Sequence, residues 1–314
     1  ELARRMRAAG AIFIGHSNMP EFGLGSHTFN ELYGNTLNPY DLSKTPGGSS
    51  GGAAVALAAD LLPLADGSDL GGSLRNPASF CNVVGFRPSM GRMPFNRGFG
   101  WFGRMVTTGP MAKNVRDTAL MFSVIAGPDG GDPLTLPDSG TSFLDALTPL
   151  DAQELKGLRV GFSTDLGSLA IDAEVAQTVR DAARSIENLG ARVIEAAPNL
   201  DGAMDVFQVQ RAAGLRLLAK RLETISPDWR DMIKDTARWN IDKGLALTAD
   251  ELMQSELQRT VIYRRITRFF DEYDALIIPS AQVPPFDATL DWVSEINGVK
   301  MPTYIDWMAV CCMI

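Results

Sequence analysis

The sequence predicts an α/β protein with a mixed β-sheet core that is covered by helices on both faces. Three observations predict it. Strand-like apolar segments alternate with helical ones, a capped amphipathic helix separates two such strands near the middle, and residues 203–273 are helical in pattern almost throughout. With 314 residues, 45% of them hydrophobic, the chain can bury a large core.

The first elements are a helix and a strand. "ELARRMRAAG" is helical in pattern and ends at Gly10, and "AIFIG" at residues 11–15 predicts a short buried strand. A polar loop rich in glycine, asparagine and proline then extends to Pro46. The chain is therefore expected to leave the sheet for a long stretch before its next helix.

Small residues dominate the next helix, which we place at residues 52–62 because their pattern is typical of a tightly packed helix. "LLPLAD" predicts a strand that leads into a loop, and "NVRDTALMFSVIAG" predicts a helix that ends at glycine. Residues 128–157 are expected to form a linker.

A strand–helix–strand unit follows the linker. "LRVGFSTD" and "ARVIEAAP" predict strands, and the amphipathic segment between them begins near Asp172 and ends at Gly190. After the helical residues 203–273, "YDALIIPSAQVPPF" is expected to return to the sheet.

Composition excludes several classes of partner. The 29 Lys and Arg residues are scattered and are outnumbered by 37 Asp and Glu, for a net charge of −8, so we predict no nucleic-acid partner. No apolar segment is long enough to span a bilayer and no signal peptide is visible, which predicts no membrane association and a cytoplasmic location.

The cysteines indicate neither a disulfide framework nor a metal site. Cys81, Cys311 and Cys312 are too few for such a framework, which fits a reducing compartment. Together with His16 and His27 they form no set with zinc-ligand spacing, so we predict no metal.

One glycine-rich segment, "PGGSSGGAAVALAADLLPLADGSDLGGSLRNPASF", stands out as a candidate site. Ser49 and Ser73 each follow a pair of glycines and lie 24 residues apart, joined by a small-residue helix and a strand. Glycine permits positive φ and close backbone approach, and a single structural turn needs one such pair. Serines are also common as plain turn residues, but two such turns in one compact unit favour a functional site.

Three chemistries for this segment meet obstacles. "GSSGG" satisfies the G-x-S-x-G pattern around Ser50, but the histidine of that triad follows the serine in the chain, and none follows His27. A phosphate-binding loop needs Lys and Ser or Thr where Ala53 and Ala54 stand. A calcium loop would need further regularly spaced oxygen ligands beside the aspartates of "DGSDLGG".

The succession of "GGSSGG" and "DGSDLGGSLRNPASFCNVVGFRPS" resembles the amidase signature family, hydrolases that cleave carboxamide C–N bonds with a Ser–cis-Ser–Lys triad. "RAAGAIFIGHSNMPEFG", "NPYDLSKTPGGSSGG", "TTGPMAKNVRDTALMFSVIAG" and "DALIIPSAQVPPF" resemble the family in the same order. The resemblance covers most of the chain apart from the helical region. It implies an amidase-signature-type sheet core, acyl transfer and no cofactor.

The resemblance assigns roles to individual residues. It implies that Ser73 is the nucleophile and that Ser49, after a cis peptide bond, is the bridging serine. It further implies an oxyanion hole made by the backbone N–H groups of Leu70, Gly71, Gly72 and Ser73. Three supporting positions complete the predicted site: Ser50, Asp69 and Arg75.

The lysine of the triad is expected in a segment upstream of the present residues. Lys44 precedes the motif at a position without family precedent and is interpreted as a surface lysine, and His16, where the family is usually basic, as structural. Both ends of the sequence look cut, so we expect a fragment that lacks the N-terminal lysine segment and the C-terminal end.

The family resemblance also predicts four regions of the chain. We expect an amidase signature core at residues 1–130, its α/β continuation at 131–202, a helical region that shapes the substrate pocket at 203–273, and a return to the core at 274–314.

The substrate is expected to be a small-molecule amide. The loop Ser89–Met105, with Phe95, Phe99, Trp101 and Phe102, favours an aromatic group, as in aryl amides or carbamate esters. The alternative is a glutamine-hydrolysing subunit of an aminoacyl-tRNA amidotransferase, a role that members of the family also fill. The sequence leaves open whether a stand-alone hydrolase would form a homo-oligomer.

Overall fold

The computed structural model divides the chain into two compact units. The first unit comprises residues 1–148 and 285–292, and the second comprises residues 149–284 and 293–314. The predicted α/β class is confirmed, since both units combine helices with sheets. The residues that the structure describes are 1–95, 105–138, 140, 142–149 and 151–314.

Short elements alternate in the first unit. Its helices are α1 (Leu2–Ala8), α2 (Gly51–Ala58), α3 (Arg75–Phe80) and α4 (Val115–Ile125). Its strands are β1 (Phe29–Asn30), β2 (Gly34–Asn35), β3 (Leu64–Asp69), β4 (Val84–Gly85) and β5 (Thr107–Ala112).

The main sheet of the first unit is antiparallel, with β5 between β3 and β4. β3 ends at Asp69, which pairs with Thr107 at the start of β5. Small apolar residues of α2 lie in one buried cluster with Leu74 and Met111. Burial of α2 therefore anchors both the turn before this helix and the turn after β3. The chain segments that carry Ser49 and Ser73 therefore lie on one core.

The predicted strand at residues 11–15 is wrong. These residues form no strand, and Ile12 and Ile14 are 88% and 73% exposed. A strand is stable only when its N–H and C=O groups pair with a neighbour, and no described residue pairs with this segment. An apolar run predicts a strand only where a partner strand is at hand.

The second unit carries the longer helices. They are α5 (Ala152–Gly157), α6 (Ala173–Asn188), α7 (Ala203–Glu223), α8 (Trp229–Met232), α9 (Asp235–Ala246), α10 (Ala249–Phe270) and α11 (Ala309–Cys312). Its strands are β6 (Arg159–Phe162), β7 (Arg192–Glu195), β8 (Ala275–Ile277), β9 (Glu295–Ile296) and β10 (Val299–Lys300).

The strand–helix–strand unit predicted after the linker is present. β6 lies between β7 and β8 and is parallel to both, with α6 as the connection from β6 to β7. The side chain of Asp172 caps α6 by accepting a hydrogen bond from the N–H of Glu174. The helical pattern of residues 203–273 corresponds to α7, α8, α9 and α10. No helix in the described ranges is long and apolar enough to span a bilayer.

Candidate active site

Ser49 and Ser73 lie in two adjoining turns of the first unit. Ser49 precedes α2, and its peptide bond with Gly48 is cis, as the family resemblance implies. Ser73 lies between β3 and α3, and its carbonyl oxygen accepts a hydrogen bond of 3.3 Å from the N–H of Ser50. Both serines are nearly buried, at 3% and 8% exposure. The structure thus brings the two serine turns together.

Two glycines explain why these turns need their sequence. A side chain at Gly48 would begin 2.9 Å from the backbone nitrogen of His27, so only glycine allows this approach. Gly72 has φ of +111°, in the region that side chains other than glycine rarely enter. Each serine turn therefore depends on the glycine directly before it.

The side chain of Asp69, the last residue of β3, organises the loop that carries Ser73. Its carboxylate accepts hydrogen bonds from the N–H groups of Gly72, at 2.8 Å, and Leu74, at 3.1 Å. Arg75 donates two more, from Nε at 3.0 Å and Nη2 at 2.9 Å. Because Ser73 lies between the two bound amides, the Asp69 carboxylate fixes the backbone on either side of it.

The Asp69 carboxylate remains ionised although it is fully buried. Burial by itself raises its pKa, but the charges of Arg75 and Arg87 and the N–H of Gly72 outweigh it and hold the pKa below the ordinary value. Asp69 and Arg75 are thus a bidentate buried pair, as their places beside Ser73 suggested.

Sequence reasoning missed Arg87. Its Nη1 donates to the carbonyl oxygen of Asp69 at 2.9 Å, and its Nε lies 3.9 Å from the Asp69 carboxylate. Its Nη2 donates to the carbonyl oxygen of Met105 at 3.0 Å. The signal was present, since Arg87 lies in "GFRPS" at the end of the motif. Its distance from Asp69 along the chain concealed its partner.

The N–H of Gly72 has a different partner from the one predicted. We expected four backbone N–H groups to face a developing negative charge, but that of Gly72 donates to Asp69. A hydrogen already bound to a carboxylate is directed at that carboxylate. The N–H of Gly72 thus anchors the loop in this structure, and the oxyanion-hole role of Leu70, Gly71, Gly72 and Ser73 stays a prediction.

Ser50 joins the two turns through weak contacts. Its Oγ accepts from the N–H of Ser68 at 3.3 Å and donates to the carbonyl oxygen of Ser68 at 3.4 Å. Both distances lie at the long end for hydrogen bonds. Ser50 therefore ties the start of α2 to β3, beside the serine turns.

A second missed group holds the turn before Ser49. The Thr45 hydroxyl lies 2.8 Å from Nδ1 of His27 and accepts from the N–H of Gly47 at 3.0 Å. His27 Nε2 lies 3.1 Å from the carbonyl oxygen of Ala288, which can only accept, so Nε2 carries the hydrogen. In the neutral imidazole, Nδ1 then accepts from Thr45. This buried chain of bonds fixes Gly47, two residues before Ser49.

His16 and Lys44 are not joined to the serines. His16 is exposed and Lys44 is half-buried, and among the described residues no hydrogen bond involves either side chain. The backbone of Lys44 forms a β-bridge with that of Asp287 inside the first unit. The interpretation of both residues as outside the catalytic group therefore remains a prediction.

Within the described ranges, no cluster of three or more His, Cys, Asp or Glu side chains could hold a metal ion. In the predicted aromatic loop, Phe95 is described and its N–H donates to Asp132 Oδ2 at 2.7 Å. Phe99, Trp101 and Phe102 lie outside the described residues.

Comparison with known proteins gives consistent results. The family model described as Amidase matches residues 1–314. An acylamidase of Rhodococcus erythropolis is 34% identical over 308 residues, which are 97% of this chain and 63% of that protein. A glutamyl-tRNA(Gln) amidotransferase subunit from Syntrophus aciditrophicus (strain SB) is 40% identical over 206 residues, 65% of this chain and 42% of that protein.

A solved structure agrees in fold. The chain aligns with a bacterial aryl acylamidase of the amidase signature family at a TM-score of 0.88 and 30% identity, covering 99% of this chain and 65% of that one. The chain thus spans less than two thirds of the length of these relatives. Matched by the family model from its first residue to its last, and with the two serine turns in place, the chain belongs to the amidase signature family.

Proposed function

We propose that the protein is a serine hydrolase that cleaves carboxamide C–N bonds through an acyl-enzyme on Ser73. One observation carries the proposal: the turn that holds Ser49 is hydrogen-bonded to the Ser73 turn, whose backbone is fixed by buried Asp69. Relatives named acylamidase and aryl acylamidase support the same reaction.

The proposed mechanism begins with proton transfer. Ser73 Oγ gives its proton to Ser49, and Ser49 gives its own to the lysine that the family resemblance places upstream of the present residues. Desolvation keeps that lysine neutral by lowering its pKa from the reference of about 10.4. Ser73 Oγ then attacks the carbonyl carbon of the amide and forms a tetrahedral oxyanion.

Backbone N–H groups stabilise the oxyanion in this proposal. We assign this role to Leu70, Gly71 and Ser73, and we assign to Gly72 and Leu74 the task of holding the loop against Asp69. Ser49 returns a proton to the leaving nitrogen, which departs as an amine or ammonia. Water then hydrolyses the acyl-enzyme, and no step requires a cofactor.

Asp69, Arg75 and Arg87 act as positioning residues in this scheme. A preformed oxyanion site is effective only when its donors are fixed before the charge develops. The carboxylate of Asp69 holds the backbone on both sides of Ser73, and the two arginines hold the carboxylate. Ser50, whose Oγ forms hydrogen bonds with the Ser68 backbone, assists by tying the start of α2 to β3.

A fluorophosphonate probe tests the nucleophile. We expect the full-length protein to be labelled at Ser73, as mapped by peptide mass spectrometry, and the Ser73→Ala variant to remain unlabelled. Ser79→Ala is the matched control, since Ser79 is exposed on α3 and its hydroxyl bonds, among the described residues, to the carbonyl oxygen of Asn76. Labelling of the Ser73→Ala variant at another serine would disprove the assignment.

The proposed substrates are aryl amides, with carbamate esters as a related class. The aryl acylamidase relative supports this class. The test compares kcat/KM for an acyl anilide with that for an aliphatic amide carrying the same acyl group. A higher value for the anilide is expected, and equal values or a preference for the aliphatic amide would contradict the aryl preference.

The second candidate function is the glutamine-hydrolysing subunit of an aminoacyl-tRNA amidotransferase. Relatives named as subunits of glutamyl-tRNA(Gln) amidotransferase favour it, at 33% identity over 304 residues in one case and 40% over 206 in another. Glutaminase activity that appears only together with a copurifying partner protein would select this function. Anilide hydrolysis by the isolated protein would select the first.

We propose that the enzyme is cytoplasmic and binds no nucleic acid. Both a monomer and a homo-oligomer are compatible with this proposal. We also propose that residues 1–130 form the signature core and residues 203–273 shape the substrate pocket, with residues 131–202 and 274–314 as the remainder of the core.

A further inference from the structure

The second unit buries a positive charge that has no carboxylate partner. Arg211 of α7 is 5% exposed and forms no ion pair with any described residue. Its Nη2 donates to the hydroxyl oxygen of Tyr304, but its Nη1 is buried without a hydrogen-bond partner in the described ranges. Buried arginines are normally paired, because an isolated charge is poorly solvated by protein. Arg211 therefore departs from the usual pattern.

The neighbours of Arg211 leave further hydrogen-bonding groups open. Asn240 Nδ2 donates to the Tyr304 hydroxyl oxygen and to the carbonyl oxygen of Thr236, both at 2.7 Å. Tyr304 Oη thus accepts two hydrogens, and its own hydrogen has no acceptor among the described residues. Asn240 Oδ1 is also buried without a partner there. Among the described residues, Arg211 Nη1 and the Tyr304 hydroxyl are therefore donors without an acceptor, and Asn240 Oδ1 is an acceptor without a donor.

Close helix packing forms this cluster. Gly244 of α9 lies one turn after Asn240, and a side chain at Gly244 would begin 2.2 Å from the carbonyl oxygen of Ala212, next to Arg211. Glycine therefore lets α9 approach α7 until Asn240 reaches the same tyrosine as Arg211. The cluster is therefore part of the helix packing of the second unit, since it depends on the close approach of α9 to α7 at Gly244.

Arg211 is charged and Tyr304 is neutral in this cluster. Burial lowers the pKa of Arg211, with the Tyr304 hydroxyl and Cys312 as opposing influences, but a guanidinium remains charged in proteins. Burial also raises the pKa of Tyr304 against the effect of Arg211 and Asn240, so the phenol keeps its hydrogen. The cluster presents a cation and a neutral hydroxyl donor over the ordinary pH range.

We propose that Arg211, Tyr304 and Asn240 form a buried binding site for the carboxylate of a small organic acid. One negative charge balances the guanidinium, and the two open donors, Arg211 Nη1 and the Tyr304 hydroxyl, match the two oxygens of a carboxylate. A phosphate would bring nearly two negative charges and a third oxygen to the same two donors. Asn240 Oδ1 accepts a hydrogen from a water or hydroxyl beside the bound acid.

Acetate is the probe for this site. Sodium acetate is titrated into the full-length protein by calorimetry in a chloride-free buffer, with neutral acetamide, which has the same shape, as the matched control ligand. We expect acetate to bind and acetamide to bind at least tenfold more weakly, because a charge-assisted contact is lost. Absence of acetate binding, or equal binding of acetamide, would overturn the proposal.

Three variants assign the binding to Arg211. Arg211→Met is expected to weaken acetate at least tenfold, and Asn240→Asp is expected to do the same by supplying an internal carboxylate beside the guanidinium. Ser73→Ala separates this site from the proposed active site and is expected to keep the wild-type affinity. Unchanged acetate affinity in both Arg211→Met and Asn240→Asp, each verified as folded by circular dichroism, or loss of binding in Ser73→Ala, contradicts the assignment.

Discussion

Asp69 in the first unit and Arg211 in the second are both buried charged side chains, but their sets of partners differ. Asp69 in the first unit has two backbone N–H groups and two arginines around it. Arg211 in the second unit has one tyrosine hydroxyl and an open Nη1. A buried charge with all its partners fixes the local backbone, whereas one without them retains the capacity to bind a ligand. The first suits positioning of Ser73, and the second suits recognition.

The largest effect is expected for Asp69→Asn. The substitution leaves two arginines without their shared carboxylate, and removal of one partner from a buried ion pair costs about 3–5 kcal/mol. Hydrogen exchange measured by mass spectrometry should show loss of protection in β3 and α3, and fluorophosphonate labelling of Ser73 should fall with it.

Asp66→Asn is the matched control for that substitution. Asp66 lies on the same strand but is exposed, and its side chain makes no hydrogen bond with a described residue. We expect a change within about 0.5 kcal/mol. Similar losses of protection in the two variants would show that the Asp69 network carries no special stability.

Gly244→Ala is expected to have the next largest effect. The added methyl group would meet the Ala212 carbonyl oxygen at 2.2 Å, so the two helices must separate. Overpacking of this kind costs about 1–3 kcal/mol. Gly214→Ala is the control: Gly214 lies in α7 with open space around it, and alanine should raise stability there by about 0.5–1 kcal/mol. Effects of the same sign at both glycines would contradict the close-approach argument.

The pH dependence of stability reports the charge state of buried Asp69. The folded-state pKa of Asp69 is lowered, so its stabilisation is complete above the unfolded pKa of about 3.9 and is lost as the pH falls through the lower folded value. Below about pH 4 the stability advantage of wild type over Asp69→Asn should shrink by no more than about 1.4 kcal/mol per pH unit. A constant advantage down to the lowest measurable pH would mean that Asp69 is protonated in the fold.

The sequence predicts the features whose cause is local. Paired glycines located the Ser49 and Ser73 turns, and a capping aspartate located the start of α6. Asp69 and Arg75 were found because six positions separate them in one motif. The strand at residues 11–15 was mispredicted because an apolar run does not reveal whether a partner strand exists.

Contacts between distant segments account for what the sequence did not predict. Arg87 reaches Asp69 from beyond α3, and His27 reaches Ala288 across most of the chain. Arg211 lies in "QVQRAAGLR", a polar helical segment, and its burial and its bond to Tyr304 follow from tertiary packing of α7. Such placements depend on tertiary packing, which local patterns do not encode.

The smallest effect is expected for Arg211→Met, and it is the sharpest contrast with Asp69→Asn. Methionine has a similar length, removes the unpaired charge and leaves the bond between Asn240 and Tyr304 in place. Replacing a buried ionic group by an apolar one of similar volume is often neutral or stabilising, so protection of α7 and α9 should change by less than about 1 kcal/mol. A loss as large as that of Asp69→Asn would mean that Arg211 is completed within the fold, and the two units would then bury charge for the same structural purpose.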